Sequence, residues 1–179
     1  ALGFTPKVTA HPDCLVTTPY DIILNRAKEK LRNKQKHGSV GLGFHETIHR
    51  NKMGPSFTLK KRPNFYDLFE YFKFQIDNQP ELFVYTPDWI WNQDFWSIYQ
   101  RELEFLLDNC ILDDNIKGEN LVFEGAQGLR LDQIFGQFPF VTHSNTGWKN
   151  VAEILESIGR EDEYCETHYV SRPYVTRHG

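Results

Sequence analysis

Cysteine is scarce in this 179-residue chain, which carries three, Cys14, Cys110 and Cys165. No two stand at metal-finger spacing and the number is odd, which excludes a dense disulfide scaffold and a cysteine zinc finger. They read as reduced thiols of a cytoplasmic protein. An excess of one charge is also missing. Lys and Arg number 20 against 24 Asp and Glu, a net charge of -4, so no global field would hold a polyanion and no nucleic-acid partner is expected. Long hydrophobic runs are absent, and with them any expectation of a membrane span or leader. The chain opens on Ala1 rather than methionine and closes at Gly179 where a motif has just begun, so a fragment of a longer polypeptide is expected. What is present is 40% hydrophobic and 25% charged residues, enough for one globular domain with a sizeable core.

Helical and strand patterns alternate along the chain. Lys7 to Thr18, rich in Pro, Thr and Val, suggests a short strand with turns. A helix is expected from about Pro19 to Leu31, with Pro19 in the first turn, Ile22, Ile23, Arg26, Ala27 and Lys30 at helical spacing, and basic residues toward its end. The loop Gly38-Ser39-Val40-Gly41-Leu42-Gly43 comes next, able to approach a ligand with bare backbone. Phe65, Leu68, Phe69, Phe72 and Ile76 share one helical face. A second helix from about Asp88 to Leu107 carries Trp89, Phe95, Trp96, Tyr99, Leu103 and Leu106, and the two are expected to pair. Leu121 to Glu124, Phe138 to Thr142 and Tyr169 to Thr176 read as strands, and Lys149 to Ile158 as a helix ended by Gly159. The class is α/β, with a helical subdomain inserted at about residues 60–118.

His45-Glu46-Thr47-Ile48-His49 fits H-E-x-x-H, the pattern in which two histidines one turn apart bind zinc and the glutamate activates the metal's water. Glu70 stands at a plausible distance to be a third ligand. Against it, the preceding glycines disfavour a helix and Met53-Gly54-Pro55 stops one. The segment is expected to be the end of a loop followed by one helical turn. The basic run Lys28 to Lys36 reads as a solvated helix face close to a possible phosphate field.

The strongest signal is Leu121-Val122-Phe123-Glu124-Gly125-Ala126-Gln127-Gly128, then Leu131-Asp132, then Phe135-Gly136 and Pro139-Phe140-Val141-Thr142-His143-Ser144-Asn145-Thr146. It reads as strand, glycine turn, short helix, turn and strand. Gln127 would stand at a strand's carboxyl end, where open α/β sheets bind ligands, with Thr142 at the same edge. This ordered set closely resembles the adenylosuccinate synthetase signature of F-E-G-A-Q-G, L-D, F-G and P-x-V-T-x-S-N-T. Flanking pieces agree: His11 to Arg32 is similar to the family's lead-in strand and helix, Gly38 to Arg50 to its glycine-rich IMP loop, and Tyr174 to Gly179 to a later strand-end T-R-x-G.

The resemblance implies the central part, residues 1–179, of a larger domain with a twisted, mostly parallel sheet and flanking helices. It implies a homodimeric purine-biosynthesis ligase acting on IMP, aspartate and GTP, with Mg²⁺: the GTP γ-phosphoryl passes to the 6-oxygen of IMP and the aspartate amine then displaces phosphate from C6. By the same resemblance Gln127 orients the 6-oxygen, Thr142 hydrogen-bonds the 5′-phosphate, Ser39 and Val40 occupy the loop contacting that phosphate, Arg50 reaches across a dimer interface, and His178 marks the ribose contact. The loop departs from the family's G-T-T-G-R-G. Val40 stands in place of a threonine, and neither the following Gly-Pro nor a lysine before Arg50 is present. The family's amino-terminal phosphate loop and its carboxyl-terminal guanine and aspartate sites are absent from these residues, so no Mg²⁺ ligand or general base is assignable and the fragment alone is expected to be inactive. The competing expectations are a divergent, non-catalytic nucleotide-binding or dimerisation module and a zinc hydrolase.

Overall fold

Thr18, Pro19 and Asp21 start the first helix before any tertiary contact is considered. The Thr18 hydroxyl accepts from the Asp21 N–H at 3.3 Å, the Asp21 carboxylate accepts from the Thr18 N–H at 2.8 Å, and Pro19 needs no partner for its nitrogen. The computed structural model describes residues 7–92, 94–125 and 127–171. They divide into two units, Ala1–Asp114 and Asn115–Gly179.

In the first unit, helix α1 (Pro19–Leu31) is followed by α2 (Phe44–Met53), α3 (Phe65–Asn78), the short α4 (Trp89–Asn92) and α5 (Phe95–Asp108). Two-residue strands β1 (Thr9–Ala10) and β2 (Ile111–Leu112) pair in parallel, Thr9 opposite Ile111 and Ala10 opposite Leu112. Helix α1 lies at the centre, against α2, α3 and the 3-10 turn Pro80–Tyr85. Its apolar face, Tyr20, Ile23, Leu24 and Ala27, is buried with Leu68, Phe72 and Ile76 of α3 and with Leu82 and Ile90. Aromatic rings close the gaps: Tyr20 stacks on Phe72 at 4.7 Å between centroids and meets Phe95 edge-on at 5.5 Å.

The face expected of α3 is the one it buries, with Asn64 as its cap. Elsewhere the pattern shifts. Arg26 and Lys30 of α1 are exposed, and the buried polar stripe is instead Asp21, Asn25 and Glu29, four residues apart. The single helix expected from Asp88 is broken into α4 and α5, and it is Leu103 and Leu107, not Leu106, that pack on the core.

The second unit holds a 3-10 turn at Leu129–Leu131 and helix α6 (Lys149–Ser157). Gly159 lies just beyond α6 at a left-handed φ of 68°, its N–H donating to the Glu156 carbonyl, as a helix terminus needs. The stretches Leu121 to Glu124, Phe138 to Thr142 and 169–171 are not in strands. A strand exists by its ladder partner, and none stands beside them among the described residues. Among the described residues of this unit Leu155 is the buried large apolar side chain, while Val122, Phe135 and Phe138 are among the exposed ones.

Candidate functional site

The polar stripe of α1 organises the chain from residue 38 to residue 50. Arg50 of α2 sits over Asp21, each 1% exposed, with Nε 3.0 Å from Oδ1 and Nη2 3.0 Å from Oδ2. Its other donors go to the carbonyls of Pro55 (2.7 Å) and Val16 (2.8 Å). A buried guanidinium demands such saturation, and Arg50 finds it within its own unit. Thr47 joins the pair, its hydroxyl 2.8 Å from that of Thr17 and 3.0 Å from the Gly43 carbonyl.

The next two members of the stripe hold the glycine loop. The Asn25 Oδ1 accepts from the Ser39 hydroxyl at 2.9 Å and the Gly43 N–H at 3.3 Å. One Glu29 oxygen accepts from the N–H groups of Gly38 (2.7 Å) and Ser39 (3.2 Å), while the other meets Arg32 at 2.7 Å. Burial pushes the Glu29 carboxyl up, but the hydrogen bonds from Arg32 and from the loop amides outweigh it and hold it below the usual carboxylate range. Arg26 adds a bond from Nε to the Gly41 carbonyl at 2.9 Å. Gly38, Gly41 and Gly43 all take left-handed φ, and a Cβ on Gly43 would lie 2.8 Å from the Ile22 nitrogen, so position 43 demands glycine. Ser39, expected as a phosphate ligand, gives its hydroxyl proton to Asn25. Val40 is exposed.

Helix α2 is ten residues long, not the single turn expected, because Gly43 fills its N-terminal cap position at φ 80° instead of breaking it. His45 and His49 lie one turn apart with ring centroids 6.2 Å apart. The glutamate between them is committed elsewhere: Glu46 pairs with Lys28 at 2.6 Å. His49 Nδ1 lies 2.9 Å from the Tyr71 hydroxyl, whose pKa is pushed up to about 12, by burial first and by the charges of Glu46 and Asp21 next. Glu70 is exposed on α3. Among the described residues no three His, Cys, Asp or Glu side chains converge on a metal position, as a zinc site of the H-E-x-x-H kind would need.

In the second unit Asp132 is the organiser. One oxygen accepts from the N–H groups of Ile134 (2.8 Å) and Phe135 (3.0 Å), the other from that of Thr146 (2.7 Å). The bonds from Phe135, Ile134 and Thr146 hold its carboxyl below the usual range. Two backbone bonds zip the same arms: Thr142 N–H to the Leu131 carbonyl at 2.7 Å and Gln133 N–H to the Ser144 carbonyl at 3.0 Å. Gly136 closes the turn, since a Cβ there would lie 2.4 Å from the Asp132 carbonyl oxygen. Thr142 is half-buried on this frame and Gln127 is exposed ahead of it, beside Gly125 and Gly128, whose surroundings are open. A mainly apolar hollow of about 330 Å³ lies nearby, lined by Leu129, Phe135, Asn145 and Trp148 among others, but neither Gln127 nor Thr142 lines it. His178, with the expected Tyr174 to Gly179 match, lies outside the described residues, as does Ala126.

Asn25, Glu29 and Asp21 carry the loop and α2, yet none stands out in the sequence. Polar residues four apart on a helix usually mark a solvated face, and the one available signal was their period coinciding with the start of a glycine loop.

The adenylosuccinate synthetase family model matches residues 4–179. Curated relatives named adenylosuccinate synthetase include that of Legionella pneumophila subsp. pneumophila (strain Philadelphia 1), 28% identical over 93% of this chain and 40% of its own length. That of Psychrobacter sp. (strain PRwf-1) is 30% identical over 78% of this chain and 34% of its own. That of Neisseria meningitidis serogroup A is 28% identical over 75% and 33%. The chain thus spans about a third to two fifths of the length of the relatives it matches.

Proposed function

This chain belongs to the adenylosuccinate synthetase family, and from that premise we propose that it forms the central part of a purine-biosynthesis ligase joining aspartate to IMP at the expense of GTP. The observation that carries the reading is the Asp132-centred turn, which fixes the arm bearing Thr142 against the arm that comes after Gln127.

In this reading the Gln127 carboxamide orients the purine 6-oxygen, where charge develops as the phosphoryl group arrives and again as phosphate leaves. Thr142 donates its hydroxyl to the 5′-phosphate. The Ser39–Val40 loop approaches the same phosphate with backbone, and His178 contributes near the ribose. The complete enzyme is a homodimer through the Arg50 region, where Arg50 also holds α2 on α1 within its own unit. GTP and Mg²⁺ belong to the complete enzyme. The metal would neutralise phosphate charge there, and no described side chain of this chain is assigned to it. The sheet to which residues 121–124 and 138–142 would add, with the helices of 60–118 as an insertion, is likewise proposed from the family. So is a cytoplasmic location; no helix among the described residues is long and apolar enough to cross a membrane.

The test is turnover by the complete polypeptide with IMP, GTP and aspartate, followed as aspartate-dependent phosphate release. Release that requires all three substrates supports the ligase. IMP binding without release would favour a non-catalytic nucleotide-binding module.

A further inference from the structure

Resting on that reading of the loop as the phosphate-contacting element, we propose that Asn25 and Glu29 are positioning residues for it, and that the phosphate is received by the backbone of Val40 and Leu42 and not by the amides of Gly38 and Ser39. A loop with glycines at 38, 41 and 43 in left-handed conformation is, left alone, the kind of backbone that loses most freedom on binding. Here that freedom has been removed beforehand. Glu29 fixes the amides at 38 and 39, Asn25 the Ser39 hydroxyl and the amide at 43, and Arg26 the carbonyl at 41.

The anchors leave a distinct pattern. The anchored positions Gly41 and Gly43 are buried, while Val40 and Leu42 between and beside them stand exposed. The loop is fastened from the α1 side and open on the other. Its first two amides already hold a carboxylate, ionised and paired with Arg32, and a second anion at the same two donors would meet like charge at contact distance. Phosphate binding is therefore directed along the loop to the exposed Val40 and Leu42, since the buried Gly41 between them already donates its N–H to the Ser39 hydroxyl at 3.2 Å and accepts from Arg26 at its carbonyl. Replacing a threonine by Val40 removes a side-chain hydroxyl but leaves this backbone route intact.

The experiment uses the complete polypeptide, with IMP and inosine as probes. Calorimetric titration is expected to show Glu29→Ala and Asn25→Ala weakening IMP by about tenfold or more, the size of a lost charge-assisted or paired hydrogen bond, with inosine nearly unaffected. Glu29→Gln, which keeps an acceptor oxygen for both amides, should recover most of the IMP affinity. An equal loss for IMP and inosine, or no loss for either, overturns the assignment. Should the alanine variants fail to fold, hydrogen exchange on the unsubstituted protein decides: IMP should slow exchange at Val40 and Leu42 and leave the already bonded Gly38, Ser39 and Gly41 amides unchanged, and new protection at 38 and 39 alone overturns the proposal. An unsubstituted protein that binds neither probe refutes the functional reading itself.

Discussion

Arg50 and Asp21 form an ion pair from which water is excluded on every side, with both side chains 1% exposed and the guanidinium bonded to two further carbonyls. Removing either partner leaves a buried charge uncompensated. Arg50→Met and Asp21→Asn are each expected to cost about 3–5 kcal/mol of stability. Urea denaturation of the two single variants and the double variant measures it. The double variant should lose less than the sum, because the second change relieves the charge stranded by the first. Strict additivity would mean that the two residues do not act as a pair.

Tyr20 makes the opposite case. Its hydroxyl is buried without a hydrogen-bond partner among the described residues, inside a cluster of Phe65, Phe69, Phe72 and Phe95. Burial also pushes its pKa up. Tyr20→Phe keeps the ring and removes the stranded group, so the denaturation midpoint is expected to rise, by a stability of about 1 kcal/mol. A lowered midpoint would reveal a water or partner serving that hydroxyl.

How far the fold could be read in advance divides along a physical line. The cap at Thr18, the face of α3 and the Gly159 terminus come from chemistry within a few residues. The strands at 121–124 and 138–142 do not, since apolar residues in a run say that a segment is fit to pair but not that a partner stands beside it. The helix expected from Asp88 to Leu107 had the wrong start, because Asp94 lies between two helices whose apolar patterns run together, and it ends its core face on Leu107 rather than Leu106. Of the candidate site, Gln127 and Thr142 are named by the resemblance alone, and only the structure shows that Arg50 and the Ser39 hydroxyl are already engaged.

The assigned chemistry separates Gln127 from Thr142 kinetically. In the complete enzyme Gln127→Ala should lower kcat far more than it raises KM for IMP, as removal of an interaction made in the transition state does. Thr142→Val should mainly weaken nucleotide binding. Steady-state rates with IMP varied give both numbers; unchanged turnover in the first variant would remove Gln127 from its role.

Acid should loosen the first unit at the loop. The Glu29 carboxyl is held below its ordinary value in the folded chain, so its contribution is complete above the unfolded carboxylate range and is lost as pH falls through the depressed folded value. Thermal midpoints tracked downward from about pH 5 should fall less steeply in Glu29→Gln than in the unsubstituted protein. Parallel curves would show that Glu29 does not carry the effect.

The spacing of the α1 stripe has a consequence for length. Glu29, Asn25 and Asp21 meet Gly38 and Ser39, then Gly43, then Thr47 and Arg50, so the chain from 38 to 50 runs back along the helix like a row of buttons along its holes. Successive holes are about 6 Å apart, four residues at the helical rise. Surface loops ordinarily accept insertions because closing a longer loop costs little. Here one added residue between Gly38 and Gly43 would misalign every fastening beyond it, and the six-residue length of this loop is therefore set by the pitch of α1.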